Sequence, residues 1–264
     1  MNTPTRSLNS AFFPCPPHTR LVVALWITAC TLASPAQAAS ADTFAAKEGN
    51  IILQPINHAT LALQWNGQTV YIDPVGGAKA FEGLPSPDWI LITHQHGDHF
   101  SGPTLTAVAG PQTRLVAPPS VAEQVPVALR KQTTVLTNGQ TLERGGLKVE
   151  AVPAYNLTTE RLNFHPKGRD NGYVLTLGGQ RLYFSGDTED IPEMRALSHI
   201  DVAFLCMNLP YTMDVQHAAS AVRAFKPGIV YPYHYRGADL EQFKKLVGSD
   251  SGVEVRIREW YGRR

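Results

Sequence analysis

A chain of 264 residues can make one large domain or two small ones, and 43 % hydrophobic with 17 % charged residues marks an ordinary globular protein. Its formal net charge of +1, from 23 basic and 22 acidic residues, leaves neither a basic surface for nucleic acid nor an acidic tail. Three cysteines exclude a disulfide-rich scaffold.

Residues 1–38 are predicted to be a signal peptide. Arg20 precedes the apolar run Leu21 to Ala33, too short to span a membrane, and Ala36-Gln37-Ala38 supplies the small-x-small cleavage pattern. A periplasmic or secreted product follows. Ile27-Thr28-Ala29-Cys30 offers the competing outcome, a lipoprotein acylated at Cys30. Cys15 and Cys30 leave with the leader or carry that anchor, so Cys206 stands alone and forms no intramolecular disulfide. Beside Val202-Ala-Phe-Leu205 it reads as a small buried hydrophobe.

The mature chain, residues 41–264, has no internal repeat and opens with strands at Ile51 to Pro55, Thr60 to Trp65 and Thr69 to Asp73, the last two joined by the hairpin turn Asn66-Gly67. Trp89-Ile-Leu-Ile-Thr93 is wholly apolar up to its last residue, as expected of a strand buried on both faces. A second hairpin pairs Tyr173 to Leu177 with Arg181 to Ser185 across Gly178-Gly179. From Asp214 to Phe225 the residues Val215, Ala218, Ala219, Val222 and Phe225 recur on one helical face, and Pro227-Gly228 ends that helix. A strand from Ile229 to Tyr231, a helix from Glu241 to Val247 and a strand from Val253 to Ile257 complete the chain. Strands and helices mixed along the whole length predict a layered α/β single domain, sheets inside and helices outside.

The chemistry concentrates in Thr93-His-Gln-His-Gly-Asp-His99. It leaves a buried strand at its C-terminal end, where α/β proteins place their sites. Three imidazoles and a carboxylate within six residues form a donor set for zinc or a related divalent ion. His94 and His96 can face one metal while Asp98 and His99, past the turn at Gly97, face another.

This His-x-His-x-Asp-His pattern after a strand resembles the signature of the metallo-β-lactamase superfamily, and the likeness runs from about Gly49 to Trp260. Asp73 in Tyr-Ile-Asp-Pro and the segment from His58 to Leu63 resemble the branch holding ascorbate-phosphate lactonases and an N-acylphosphatidylethanolamine-hydrolysing phospholipase D. The resemblance implies an αββα sandwich with its metals at one edge. It also implies that Asp187, in Ser-Gly-Asp-Thr, bridges both metals and that His234, in Tyr-Pro-Tyr-His-Tyr, completes the second. One ligand is left open. Where a related branch carries a His after a Pro, this chain has Pro153-Ala-Tyr-Asn156, and a carboxamide is a poor zinc ligand. Pairing across Gly178-Gly179 sets Asp170 opposite Asp187, with His165 five residues beyond, so His165 is the expected ligand and Asn156 the alternative.

The remaining histidines divide: His199 and His217 are predicted to face solvent, and His58 is balanced between a place beside the metals and a structural role. Tyr155, Asn156, Lys167, Arg169 and Tyr211 fall in loops expected to border the cleft. The resemblance implies two divalent cations, zinc first with manganese or iron as alternatives. They activate a water between them to cleave an ester, lactone, amide or phosphodiester in a small molecule or lipid. Asp187 and Asp98 are the catalytic carboxylates, Asp98 relaying a proton to the leaving group. Three alternatives stand beside this: an iron-dependent redox enzyme of the same fold, a true β-lactamase, and an envelope metal-binding protein without turnover.

Overall fold

The computed structural model describes residues 1–3 and 41–261, so the predicted leader, its cleavage site and Cys30 lie outside the described residues. Fourteen strands among the described residues form two seven-stranded sheets, each in sequence order. The first holds β1 (Asp42–Phe44), β2 (Ile51–Asn57), β3 (Thr60–Trp65), β4 (Gln68–Ile72), β5 (Trp89–Leu91), β6 (Arg114–Ala117) and β7 (Thr133–Val135). The second holds β8 (Thr141–Arg144), β9 (Leu147–Ala154), β10 (Asp170–Leu177), β11 (Gln180–Phe184), β12 (Val202–Cys206), β13 (Ile229–Tyr233) and β14 (Glu254–Val255). In both sheets the first four strands are antiparallel and the last four, sharing one, are parallel. Parallel strands need cover on both faces. It comes from α1 (Gly102–Val108) and α2 (Pro119–Ala122) on the first sheet and from α3 (Pro192–Arg195), α4 (Val215–Phe225) and α5 (Leu240–Val247) on the second.

Strand β5 shows how the sequence sorts itself. Trp89 and Leu91 pack into the main core with residues of the second sheet, whereas Ile90 and Ile92 pack with Leu105 of α1 and Val121 of α2. A period of two on a strand with both faces buried makes the continuous apolar run seen in the sequence. The result is the αββα sandwich that the resemblance implied.

Local signals set the boundaries. Asn66 and Gly67 both take positive φ, 47° and 73°, and Trp65 pairs with Gln68. Gly178 and Gly179 do the same at 50° and 83°, with Leu177 opposite Gln180, as a two-residue hairpin of the primed type requires. Asp214 caps α4 by accepting from the His217 backbone amide, and Lys226, left-handed at φ 47°, ends that helix before Pro227. His199 and His217 are exposed, and Cys206 is fully buried, its thiol pushed up to about 12 by burial and by Asp187. No helix among the described residues is long and apolar enough to cross a membrane.

Candidate metal centre

The parallel strands deliver the site. Asp73 follows β4, His94 follows β5 by three residues, Asp187 follows β11 by three and His234 follows β13 directly, so four strand ends converge. The two sheets are tied there: the Asn171 amide donates to Thr93 O at 3.0 Å and the Tyr173 hydroxyl to Ile92 O at 2.8 Å. After His94 the chain turns tightly, His99 and Phe100 both donating their amides to His96 O, which winds three imidazoles around one point. Gly186 lets β11 turn into the site. At φ 60° a side chain would be strained, and a Cβ there would lie 2.9 Å from Asn171 O.

Two groups of metal-competent side chains result, each with its donor atoms within 4.8 Å of one another: His94, His96, His165 and Asp187, and His58, Asp98, His99 and His234. Asp187 joins them. Its Oδ2 lies 3.4 Å from His165 Nε2 and 3.3 Å from His234 Nε2, and its Oδ1 lies 3.3 Å from His99 Nε2. In the second group His58 Nε2 and His234 Nε2 lie 3.0 and 3.3 Å from Asp98 Oδ2, and the two rings pack at a 40° tilt with centroids 3.8 Å apart. Asp73, His58 and His234 all hold left-handed backbone, at φ 45°, 57° and 47°, strain of the kind that gathers at functional sites.

Hydrogen bonds aim the rings. Asp73 Oδ2 accepts from His99 Nδ1 at 2.7 Å and from the Thr93 hydroxyl at 2.7 Å, and that hydroxyl lies 3.0 Å from His94 Nδ1. One buried carboxylate thereby orients a histidine in each group. His165 Nδ1 donates to Asp170 Oδ2 at 3.1 Å, and Arg169 grips Asp170 with bonds of 2.7 and 2.8 Å. With Nδ1 occupied, each of these rings turns Nε2 inward. His94 Nε2, His99 Nε2, His165 Nε2 and Asp187 Oδ1 are buried and have no hydrogen-bond partner. Each such atom costs about 1–3 kcal/mol when left unsatisfied. A divalent cation taking those lone pairs removes that cost, so the residues fit the metal the motif implies.

The electrostatics agree. Burial would raise the Asp187 and Asp98 carboxyls, but His234 and His99 around the first, and His234 and His58 on the second, hold both well below the usual carboxylate range. Burial lowers His94, with His99 adding to the effect, so that ring is neutral. Burial would lower His99 and His165 too, but Asp187 with Asp73 overrides it for His99, and Asp170 with Asp187 for His165, raising both. Ligation must displace those protons. Metal affinity is therefore expected to rise with pH through and above the ordinary histidine value, by about 10-fold per pH unit for each proton displaced. Chelator competition at pH 6, 7 and 8 measures it, and an affinity flat over that range would contradict the assignment.

Of the expected site residues, His94, His96, Asp98, His99, His165, Asp187 and His234 come together, and His58 joins them. Asn156 does not. Its amide donates to Arg161 O and Tyr211 O at 3.0 and 2.7 Å, bracing the loop that carries His165. Tyr211 lines the cavity above the centre, but Tyr155 and Lys167 do not: Tyr155 is buried, its hydroxyl bonded to Glu193 and Lys167. Sequence reasoning set Asp170 opposite Asp187 but gave it no role, and it passed over Glu189. Buried Glu189 accepts from the Leu157 and Thr158 amides at 2.7 and 2.8 Å and pairs with Arg161, pinning the same loop two residues after Asp187. Neither has a local motif; only the register of β10 and β11 points to Asp170. Because Asp73 orients both groups, Asp73→Asn is expected to weaken binding in each by roughly 10- to 100-fold. Metal titration checks this, and unchanged affinity would remove Asp73 from the centre.

Residues 53–234 match the family described as the β-lactamase superfamily domain. A UPF0173 metal-dependent hydrolase from Pyrococcus abyssi is 32 % identical over 215 residues, covering 76 % of this chain and 93 % of that protein. A solved structure from Parabacteroides distasonis, described as a metal-dependent hydrolase, is 42 % identical with a TM-score of 0.77, covering 84 % of this chain and 99 % of its own. CmlA, a diiron β-hydroxylase from Streptomyces venezuelae, is similar in fold alone: TM-score 0.57 at 21 % identity, over 83 % of this chain and 55 % of CmlA.

Proposed function

The chain belongs to the metallo-β-lactamase superfamily and is a metal-dependent hydrolase, and from that premise we propose that it holds two divalent cations, zinc foremost, sharing Asp187. The observation that carries this is the ring of buried, unpartnered Nε2 atoms around one carboxylate. His94, His96 and His165 would hold the first ion, and Asp98, His99 and His234, with His58 beside them, would hold the second. Cations bound there lower the pKa of water toward neutrality and polarise the bond under attack.

The protein's own groups do the rest. Asp98 is the ligand whose side chain is half exposed to the cavity, and His58 and His234 keep it ionised. It orients water as an acceptor and passes the proton on to the leaving group. Thr93 and Asp73 hold the rings in place while this happens. The cavity has a volume of about 680 Å³, the size for a small molecule, and Val75, Phe164 and Tyr211 give it an apolar wall. An ester, lactone, amide or phosphodiester of that size is the substrate class. A chromogenic panel of these bonds, run on protein loaded with zinc, manganese or iron, tests the reading. Cleavage of at least one bond that stops when a chelator removes the metal supports it; no turnover with any metal overturns it.

We further propose that the signal-like segment at residues 1–38 directs the enzyme to the periplasm or out of the cell. Intact mass from the native host is expected to begin at Ala39. A mass beginning at Met1 would overturn export, and one beginning at an acylated Cys30 would replace the soluble product with a lipoprotein.

A further inference from the structure

Arginines near the centre are engaged by carboxylates, with one exception. Arg161 pairs with Glu189 at 2.9 Å and Arg169 with Asp170 at 2.7 Å. Arg236, two residues after His234, lines the same cavity as the metal ligands and has no ion-pair partner among the described residues. Packing positions it instead: its guanidinium carbon lies 5.1 Å over the Tyr261 ring. That ring is fixed in turn, its hydroxyl accepting the Tyr235 amide at 3.0 Å and lying 2.7 Å from His58 Nδ1. A planar fork of donors is thus held on a platform built into the second metal group while its own hydrogen-bonding capacity stays open. The cavity's apolar part is Phe164 edge-on to Tyr211 at 5.1 Å, with Tyr211 46 % exposed.

We propose that Arg236 is a specificity determinant: the enzyme acts on small organic anions whose carboxylate or phosphate, remote from the bond cleaved, is held by this guanidinium while an apolar body rests on Phe164 and Tyr211. The inference rests on the reading of the cavity as a metal-hydrolase site. A ligand with one anionic group at the metals and a second at Arg236 gains a charge-assisted bond that a monoanion lacks.

Calorimetry on the metal-loaded full chain, with hydrocinnamate, phenylsuccinate and the phosphonate counterpart of phenylsuccinate as probes, tests this. At least one dianion is expected to bind about 10-fold more tightly than hydrocinnamate, the discounted strength of one bond to an exposed guanidinium. Arg236→Gln should shrink that advantage to within about twofold with metal content unchanged, and Arg236→Lys should keep part of it. A gain confined to phenylsuccinate assigns a carboxylate, and one confined to the phosphonate assigns a phosphate. Equal affinities in the wild type, no binding of any probe, or an advantage that survives Arg236→Gln would overturn the proposal. A wild type that binds metal and cleaves a neutral ester yet shows no dianion preference would sink this inference alone, leaving the hydrolase reading intact.

Discussion

Asp187→Asn is expected to lower turnover by on the order of 10²–10³-fold and to reduce bound metal from two ions per chain to one or fewer, without unfolding the protein. Asp187 is a carboxylate that reaches imidazoles of both groups, lying within 3.4 Å of His99, His165 and His234. The substitution keeps its volume, so the packing around Gly186 and the strand ends has no reason to collapse. It replaces an anionic oxygen with an amide that faces histidine nitrogens. Removing the charge also lets His99 and His165 fall back in pKa, since Asp187 is among the groups that raise both. Their protonation then no longer opposes ligation, yet the shared ligand is gone, and the second effect is the larger. Metal analysis beside steady-state kinetics and circular dichroism reads all three quantities. A variant that keeps both metals and most of its activity would show that Asp187 is an ordinary turn residue.

His165→Ala is expected to remove a ligand of the first ion, weakening its binding by at least about 10- to 100-fold and lowering turnover with it. Asn156→Ala is expected to leave the metal content alone. The reason is register. Leu177 pairs with Gln180 across the hairpin, which brings Asp170 alongside Asp187, and Asp170 holds the His165 ring. Asn156 lies past the end of β9, and its amide is already committed to two backbone carbonyls, one of them Tyr211 O. Its loss frees the loop and Tyr211, so any kinetic effect belongs in KM. Metal affinity and the separate changes in kcat and KM distinguish the two variants. Loss of metal in Asn156→Ala with retention in His165→Ala would reverse the assignment.

The motif from Thr93 to His99 was legible because its chemistry is compressed into one turn, and the hairpins at Asn66-Gly67 and Gly178-Gly179 because positive φ at two consecutive residues demands such residues. Gly145-Gly146 carries the same signal, with φ of 63° and 81° and Arg144 opposite Leu147, yet no hairpin is expected there from the sequence. The reason lies in β8, three of whose four residues are exposed, so no apolar face marks it. Strands of three or four residues such as β6 and β7 are held by neighbours well separated along the chain, and local sequence says little about them. The same holds in the site. Asp73 could be noticed from its family setting, but its grip on His99 and, through Thr93, on His94 exists only once β4 and β5 lie side by side. Glu189 and Asp170 act through loops that the fold closes, and their residue types alone distinguish them from any surface carboxylate in no way. His58, evenly balanced from the sequence, is settled beside Asp98 by the left-handed turn between β2 and β3.

Anomalous diffraction at the metal edge from crystals of the metal-loaded protein tests the two-ion centre most directly. The account predicts two ions per chain, the first with His94, His96 and His165 nitrogens at roughly 2.0–2.1 Å, the second with Asp98, His99 and His234, and Asp187 reaching both. A single ion, none, or a first ion with both nitrogens of His165 more than about 3 Å away would contradict it.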